Sequence, residues 1–232
     1  MSSYFHIKKS KKFIVKELFK DFSKIIKRHF HKKTANLDLL DIGCASGELL
    51  YFLKKDLRTD RLVWGLDISK DLINNARERF GNSSIKFFVA NANNFKLNKK
   101  FSVITAASLI SYFDDPYPIL KNMLKYLKPD GILLISGVFN NRNIDVRLRY
   151  KLENDKKWKN DAALNQFSIR TIKDFFAEHG YQCKISTQIM PFNISPKKHP
   201  IRSWTVNLNG KRYVMNGLQL VYNIQTLAIT KK

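Results

Sequence analysis

The sequence predicts an α/β fold with a doubly wound, mostly parallel sheet of seven strands, an N-terminal amphipathic helix and a basic insertion after strand five. Three observations lead to this prediction. Short apolar runs alternate with amphipathic segments from residue 37 onward, as in strand–helix–strand units. A turn containing Gly43 and Gly47 joins the first strand to the first helix. The run Phe101–Ala106 is almost entirely apolar, as a parallel strand covered on both faces should be.

The first predicted element is an amphipathic helix over residues 10–31. Its apolar side chains recur at helical spacing and are predicted to share one face: Ile14, Leu18, Phe22 and Ile25. Lysines form a stripe on another face: Lys16, Lys20, Lys24 and Lys27. A packed helix with a solvated basic face is the plain interpretation, and a cofactor lid, a nucleic-acid contact or a membrane-surface helix are the alternatives.

Strands and helices then alternate along the chain. The strands are predicted at residues 37–42, 62–67, 85–89, 101–106 and 132–136. The helices between them are predicted at residues 48–55, 69–80 and 119–127. Ser69 is a suitable N-cap for the second of these helices, and Gly81–Asn82 is predicted to end it. Pro129-Asp130-Gly131 predicts a turn before strand five.

The alternation stops after strand five. A helix is predicted at 171–179 and final strands at 181–186 and 218–229, with a hairpin around Asn209–Gly210 between those strands. We interpret residues 1–232 as a single domain. Its parts are a basic helix or lid (1–33), a cofactor-binding core (34–139), a basic substrate-cap insertion (140–167) and the C-terminal strands (168–232).

Composition narrows the class of protein. The chain has 232 residues, 44% of them hydrophobic, and no apolar run approaches the ~20 residues that span a bilayer. The N-terminus has no apolar signal-peptide region, so we expect a cytoplasmic protein without a membrane span. Two cysteines and five scattered histidines show no metal-ligand spacing, so no metal site is expected. The formal net charge of +23 favours anionic partners.

The segment around the glycine turn carries the clearest functional signal. Asp41 precedes the turn, and Asp67 ends the second strand, where a carboxylate can accept hydrogen bonds from ribose hydroxyls. A pyrophosphate site wants Gly-x-Gly-x-x-Gly, but the third glycine would fall at Leu49 or Leu50. Asp41 would also repel a pyrophosphate, whereas it suits an ammonium group. The pattern therefore disfavours a dinucleotide.

Four motifs in register resemble those of class I S-adenosylmethionine-dependent methyltransferases, which have a Rossmann-like fold. The first is Leu39–Gly47 and the second is Gly65–Ser69. Ala90–Ala92 lies where the family often has Gly-Asp-Ala, and Leu127–Gly131 resembles its Leu-Lys-Pro-Gly-Gly turn. The resemblance covers roughly residues 35–190. It implies a methyltransferase that uses S-adenosyl-L-methionine and releases S-adenosyl-L-homocysteine.

The resemblance also implies which positions hold the cofactor. The turn would cradle the methionine part with the backbone of Gly43, Cys44, Ala45 and Gly47. Asp41 would hold the amino group, and Ala107, with Ser108, would flank the transferable methyl group. Cys44 is interpreted as a small buried residue rather than a nucleophile, because only the thiolate reacts and no histidine neighbours it in sequence.

Three further positions would hold the nucleoside. Asp67 would bind the ribose hydroxyls and Ile68 would pack on the adenine face. Asn91 would bond the adenine amine through its side-chain oxygen, and Ala92 would offer its backbone N–H. The family often has an aspartate at the position of Asn91. The asparagine keeps a hydrogen-bond acceptor there but lacks the negative charge.

Fewer residues are predicted to contact the methyl acceptor than to contact the cofactor. Tyr112 stands where many relatives carry a histidine or aromatic residue, and is expected to face the acceptor as the candidate catalytic residue, with a packed aromatic as the alternative. Asp114, Tyr4 and His6 are weaker candidates. Arg147 and Arg149 are expected to bind a phosphate or carboxylate of the substrate, unless they form a solvated loop.

The substrate itself stays open. The succession of segments in the C-terminal half resembles a branch of small bacterial methyltransferases associated with surface-polysaccharide biosynthesis, which implies a small anionic acceptor methylated on O or N. A sugar nucleotide, a phosphorylated amino alcohol and a glycan unit are the candidates. An RNA methyltransferase and a non-catalytic cofactor-binding module are the competing hypotheses, and the sequence does not indicate the oligomeric state.

Overall fold

The fold is a doubly wound sheet with helices on both faces. The computed structural model describes residues 13–158, 163–196, 199 and 201–232. Seven strands follow one another across the main sheet in the order β3 (Lys86–Val89), β2 (Val63–Asp67), β1 (Leu39–Ile42), β4 (Phe101–Ala107), β5 (Leu127–Asn140), β11 (Ile224–Lys231) and β7 (Tyr181–Gln188). A short strand, β6 (Phe167–Ser168), pairs with β5 beside this path. Only β11 runs against its neighbours β5 and β7, so the predicted mostly parallel seven-stranded sheet is confirmed.

The elements up to strand five alternate as predicted. The strands are β1 (Leu39–Ile42), β2 (Val63–Asp67), β3 (Lys86–Val89), β4 (Phe101–Ala107) and β5 (Leu127–Asn140). The helices are α1 (Glu17–His29), α2 (Glu48–Leu57), α3 (Lys70–Phe80) and α4 (Tyr117–Lys125). The predicted N-cap of α3 is confirmed, since the Ser69 hydroxyl accepts a hydrogen bond from the Leu72 N–H at 3.4 Å.

The remaining elements form the other end of the main sheet and a small second sheet. They are β6 (Phe167–Ser168), α5 (Ile169–Glu178), β7 (Tyr181–Gln188), β8 (Ser203–Leu208), β9 (Lys211–Asn216), β10 (Val221–Tyr222) and β11 (Ile224–Lys231). The second sheet has the order β10-β9-β8. The predicted hairpin is confirmed: Asn209 (φ +49°) and Gly210 (φ +74°) form a left-handed two-residue turn between β8 and β9.

Two apolar layers enclose the main sheet. One layer packs α1, α2 and α3 on Leu39, Val103 and Leu134 of the sheet. The other packs α4 and α5 on Ile104, Leu133 and Leu227. With both faces covered, the central strands are buried on both sides, which explains why most of their residues are apolar.

Helix α1 is a packed helix, although its buried face differs from the predicted one. Phe19, Phe22 and Ile26 are buried against α2, whereas Ile14 is 65% exposed and precedes the helix. Residues 10–12 of the predicted helix lie outside the described residues. The prediction was shifted because Leu18 and Phe19 both fit a helical repeat, and only the neighbouring helix decides between them.

Two of the predicted boundaries were wrong, and one was confirmed. Residues 129–131 lie inside β5 as an irregular bulge, because Leu127 already pairs with Phe101 before the register shifts. The predicted end of α3 is confirmed, since the helix ends at Phe80 with Gly81 as its C-cap, although Gly81 has helical φ (−57°) and starts a short 3₁₀ helix. The predicted last strand, 218–229, is divided between β10 and β11.

The insertion contains no helix in its described part. Residues 146–149 run antiparallel to 163–166 through two isolated bridges, Val146 with Gln166 and Arg149 with Ala163.

Among the described residues, every helix is too short or too polar to cross a bilayer.

Candidate active site

The predicted cofactor residues meet at the carboxyl edge of the main sheet. The turn after β1 is tied to β2, because the Gly43 and Cys44 N–H groups donate to the Leu66 carbonyl oxygen at 2.7 and 2.9 Å. The Gly47 N–H closes the turn on the Cys44 carbonyl oxygen at 2.9 Å. The backbone of this turn is therefore fixed by two hydrogen bonds to β2 and one within the turn.

The two glycines of the turn are required by conformation and by space. Gly43 and Gly47 have φ of +75° and +82°. A Cβ at Gly43 would lie 2.8 Å from Leu109 Cδ1, and one at Gly47 would lie 2.7 Å from Phe87 Cζ. Ala45 also has positive φ (+47°), a strained conformation for a residue with a Cβ.

Asp67 joins the turn to the start of α3. One carboxylate oxygen accepts from the Ala45 N–H at 3.0 Å and the other from the Ser69 N–H at 2.9 Å. Each oxygen keeps a second lone pair, so the carboxylate can still accept from ribose hydroxyls. Sequence reasoning placed Asp67 at the site but missed that it also holds the turn.

Asp41 is buried beneath the turn, with 2% of its surface exposed. Burial raises the pKa of its carboxyl to about 7, the hydrogen bond from Thr105 opposes the rise, and the charge of Asp67 adds to it. Thr105 Oγ1 donates to Asp41 Oδ1 at 2.7 Å. A buried acid of this kind is suited to a cationic group, because an adjacent cation would offset the unfavourable desolvation of its charge.

Thr105 is a residue that the sequence analysis missed. It lies directly beside Asp41 in the β1–β4 pairing and is buried. The available signal was a polar residue within the otherwise apolar run of β4.

The predicted nucleoside residues lie after β2 and β3. Ile68 is 43% exposed, as expected of a side chain that covers a ligand. The Asn91 side-chain oxygen accepts from the Asn93 N–H at 3.0 Å, and the Ala92 carbonyl oxygen accepts from Asn122 at 3.1 Å. Asn91 thus shapes its own turn and keeps one lone pair for a donor.

Cys44 is buried, and burial raises the pKa of its thiol, which keeps the sulfur in the unreactive form.

Ala107 ends β4, and Ser108 follows it with φ +55°. The Ser108 N–H donates to the Ser136 carbonyl oxygen at 2.8 Å. A second strained non-glycine residue therefore lies at the same edge as Ala45.

Tyr112 ends a short 3₁₀ helix, Ile110–Tyr112, that follows β4, and its side chain is 39% exposed. Asp114, two residues on, forms an ion pair with Arg149 and accepts from Asn165. Those two hydrogen bonds hold the pKa of the Asp114 carboxyl below its ordinary value, which makes it a poor general base.

The two predicted substrate arginines differ in their surroundings. Arg149 donates to Asp114, to Asn165 Oδ1 and to the Leu148 carbonyl oxygen, so its guanidinium serves the structure of the insertion. Arg147 is exposed, and its charge acts on Asp114. Tyr4 and His6 lie outside the described residues.

One surface depression of about 400 Å³ lies beside α5 and includes none of the predicted site residues. Its lining carries both signs of charge, on Arg170 and Asp174 among others. Within the part of the chain that the structure describes, no three His, Cys, Asp or Glu side chains converge as a metal site would need.

The fold and the edge site together define the class of protein. A doubly wound sheet with a glycine turn after β1 and a carboxylate at the end of β2 is typical of nucleotide-like cofactor binding. A protein family described as "Methyltransferase domain" matches residues 33–195 of this chain. The chain belongs to this family.

Two curated relatives are O-methyltransferases. The malonyl-[acyl-carrier protein] O-methyltransferase of Acetivibrio thermocellus is 30% identical over 102 residues, covering 44% of this chain and 36% of the relative. The ubiquinone biosynthesis O-methyltransferase of Pelagibacter ubique is 33% identical over 127 residues, covering 54% and 50%. The chain thus spans about half of these relatives or less.

Solved structures confirm the fold. An S-adenosylmethionine-dependent methyltransferase from Clostridium acetobutylicum aligns over 92% of both chains with a TM-score of 0.60 and 14% identity. Magnesium protoporphyrin IX methyltransferase from Synechocystis, with bound S-adenosylhomocysteine, aligns over 93% of this chain and 83% of its own with a TM-score of 0.56 and 11% identity. The chain has the fold of S-adenosylmethionine-dependent methyltransferases.

Proposed function

We propose that the protein transfers a methyl group from S-adenosylmethionine to an oxygen or nitrogen atom of a small, anionic acceptor. The observation that carries the proposal is the edge site, where Asp41 lies buried under a glycine turn that Asp67 ties to β2 and α3. Membership of the methyltransferase family supports the reaction type.

The residues present fit this cofactor. Ionised Asp41 would hold the amino group, the turn from Gly43 to Gly47 would lie along the methionine part, and Asp67 would bind the ribose. Ile68 offers an exposed apolar surface to the base. When bound, S-adenosylmethionine supplies an activated methyl group on a sulfonium, so the protein chiefly aligns the reactants and excludes water.

Tyr112 is our candidate for the residue that faces the acceptor. It follows β4 at the edge that carries the turn, and the insertion packs against its neighbours Ser111 and Phe113. A general base is needed only if the acceptor must lose a proton while it attacks. Tyr112 is the group we assign to orient that acceptor.

An anionic acceptor is supported by charge. Arg147 is exposed on the insertion, and the formal net charge of the chain is +23. The two curated relatives described above are named O-methyltransferases, which supports an oxygen acceptor. Neither relative is named for a surface glycan, and one is named for malonyl-[acyl-carrier protein]. A carboxylate carried on a thioester is therefore a further candidate acceptor, to be tested beside the sugar nucleotides and glycans.

Calorimetric titration with S-adenosylhomocysteine tests the cofactor site. We expect Asp67→Ala to weaken binding about 100-fold, because removal of the carboxylate takes away charge-assisted hydrogen bonds to ligand and turn. Asp71→Ala is the matched control, since Asp71 is an exposed acid in the first turn of α3, and its affinity should stay within about threefold of wild type.

Methyl transfer is then measured with radiolabelled S-adenosylmethionine and a panel of sugar nucleotides, phosphorylated amino alcohols and carboxylate thioesters. Failure of the wild-type protein to bind S-adenosylhomocysteine would overturn the proposal. Tight binding with no transfer to any acceptor class would instead favour a non-catalytic cofactor-binding module.

A further inference from the structure

Asn165 is completely buried and joins the insertion to the loop after β4. Its Nδ2 donates to the Phe113 carbonyl oxygen at 2.6 Å and to Asp114 Oδ1 at 3.2 Å. Its backbone N–H donates to the Ser111 carbonyl oxygen at 2.9 Å. One residue thus holds the loop on both sides of Tyr112.

The acceptor end of the same amide holds the insertion. Asn165 Oδ1 accepts from the Leu148 N–H at 3.0 Å and from Arg149 Nη1 at 2.9 Å. Arg149 also forms the ion pair with Asp114, so Asn165, Arg149 and Asp114 make a closed triangle that we call the clasp. A carboxamide suits the centre of the clasp because it presents donors at one end and an acceptor at the other.

The backbone around Tyr112 is therefore held from two sides. Within the 3₁₀ turn, the Tyr112 N–H donates to the Leu109 carbonyl oxygen at 3.2 Å and the Phe113 N–H to the Ile110 carbonyl oxygen at 3.1 Å. The clasp fixes the carbonyl groups of Ser111 and Phe113 from the insertion side. Asn165 at the centre of the clasp is fully buried and its amide is bonded at both ends, so any partial opening would leave buried polar groups unpaired.

We propose that Asn165 is a positioning residue, and that the clasp makes the insertion a fixed wall of the acceptor site rather than a mobile lid. The inference rests on the proposed function, because it assumes that Tyr112 faces an acceptor. In this arrangement the segments 146–149 and 111–114 move as one unit, and the acceptor meets a preformed surface.

Hydrogen exchange read by mass spectrometry tests the clasp, with and without S-adenosylhomocysteine. Asn165→Asp replaces the donor Nδ2 by an oxygen that faces the Phe113 carbonyl and the Asp114 carboxylate. We expect exchange to rise about tenfold or more in both peptides, 108–116 and 144–152, while the dissociation constant for S-adenosylhomocysteine stays within about threefold. Asn141→Asp makes the same change at an exposed residue of the insertion and should leave both peptides unchanged.

A charge swap separates positioning from general loss of structure. Asp114→Asn combined with Asn165→Asp keeps one carboxylate and one carboxamide beside Arg149 and removes the repulsion between positions 114 and 165, so exchange in both peptides should fall partway back to wild type while the Phe113 carbonyl still lacks its donor. If Asn165→Asp does not fold, Asp114→Asn alone must raise exchange in both peptides. Unchanged exchange, a rise confined to one peptide, or no recovery in the double variant would overturn the proposal. Loss of ligand binding by the wild type would count against the proposed function alone, because exchange of the unliganded protein still reports on the clasp.

Discussion

Asp41 shows how one residue can carry a pH dependence into the whole site. Its pKa is raised by burial and by Asp67 from the ordinary 3.8 to about 7. Because the folded-state pKa exceeds the unfolded one, the contribution of Asp41 to stability is fully present below pH 3.8 and is lost as the pH rises through about 7. A ligand cation reverses this preference, since it favours the ionised carboxylate.

The affinity for S-adenosylhomocysteine should therefore rise with pH. We expect the dissociation constant to fall about tenfold per unit between pH 5.5 and 7 and then to level, as Asp41 loses its proton. Calorimetry across this range measures it. Asp41→Asn should bind more weakly and without this slope, and Thr105→Val should move the midpoint upward because it removes the 2.7 Å hydrogen bond. A flat wild-type profile would contradict the assignment.

For individual residues, the sequence predicted which positions form the site better than it predicted their hydrogen-bond and ion-pair partners. Asp41, Asp67 and the glycines were predicted because chemistry and close backbone approach restrict which residues fit. The partners of Arg149 were not predictable, because Asp114 and Asn165 are far from it in sequence and both types are common on surfaces. Their pairing depends on how the insertion folds back on the loop after β4.

Among the elements, the turn between β1 and α2 is the most restricted. Its conformation and the aromatic side chains behind it both exclude a Cβ at Gly47. Gly81, at the end of α3, has an ordinary helical φ and open space around it. A Gly→Ala substitution can therefore be compared at a crowded, left-handed position and at an open, helical one.

Gly47→Ala should lower the free energy of unfolding by about 2–4 kcal/mol, from left-handed strain and from overlap with Phe87. Gly81→Ala should leave it unchanged or raise it by up to about 1 kcal/mol, because the unfolded chain loses freedom. Urea unfolding of both variants gives the comparison. Similar free energies of unfolding for the two variants would show that Phe87 moves aside at little cost and would contradict this prediction.

Elements were predicted well where local rules decide them. The β8–β9 hairpin was predicted because Asn-Gly favours two successive left-handed residues. The bulge at residues 129–131 was missed because a Pro-Asp-Gly sequence indicates a turn, while pairing of Leu127 with Phe101 extends the strand through it. The buried face of α1 depends on α2 in the same way.

The net charge of +23 is a property of the whole molecule and permits an alternative function. Lys16, Lys20 and Lys24 are exposed on and beside α1, and the exposed part of the insertion carries Arg142, Arg147 and Lys151. Such a surface attracts nucleic acid without recognising a sequence. An RNA acceptor therefore deserves a direct test.

We expect total tRNA to be shifted in gels at about 50 mM salt and released by about 200 mM, as counterion-driven binding requires. We also expect no transfer of label from S-adenosylmethionine to tRNA at either salt concentration. Transfer that persists at 200 mM salt would replace the small acceptor by RNA. Absence of binding at low salt would remove the RNA hypothesis altogether.

The position of β11 has a consequence for the order in which the chain folds. This strand, residues 224–231, lies between β5 and β7 and pairs with both. The strands β1 to β5 can assemble while the chain is still being synthesised, but β7 has no place in the main sheet until β11 arrives. Completion of the sheet thus waits for contacts between residues nearly a hundred positions apart, such as Ile132 with Thr230, which makes closure a late and slow step.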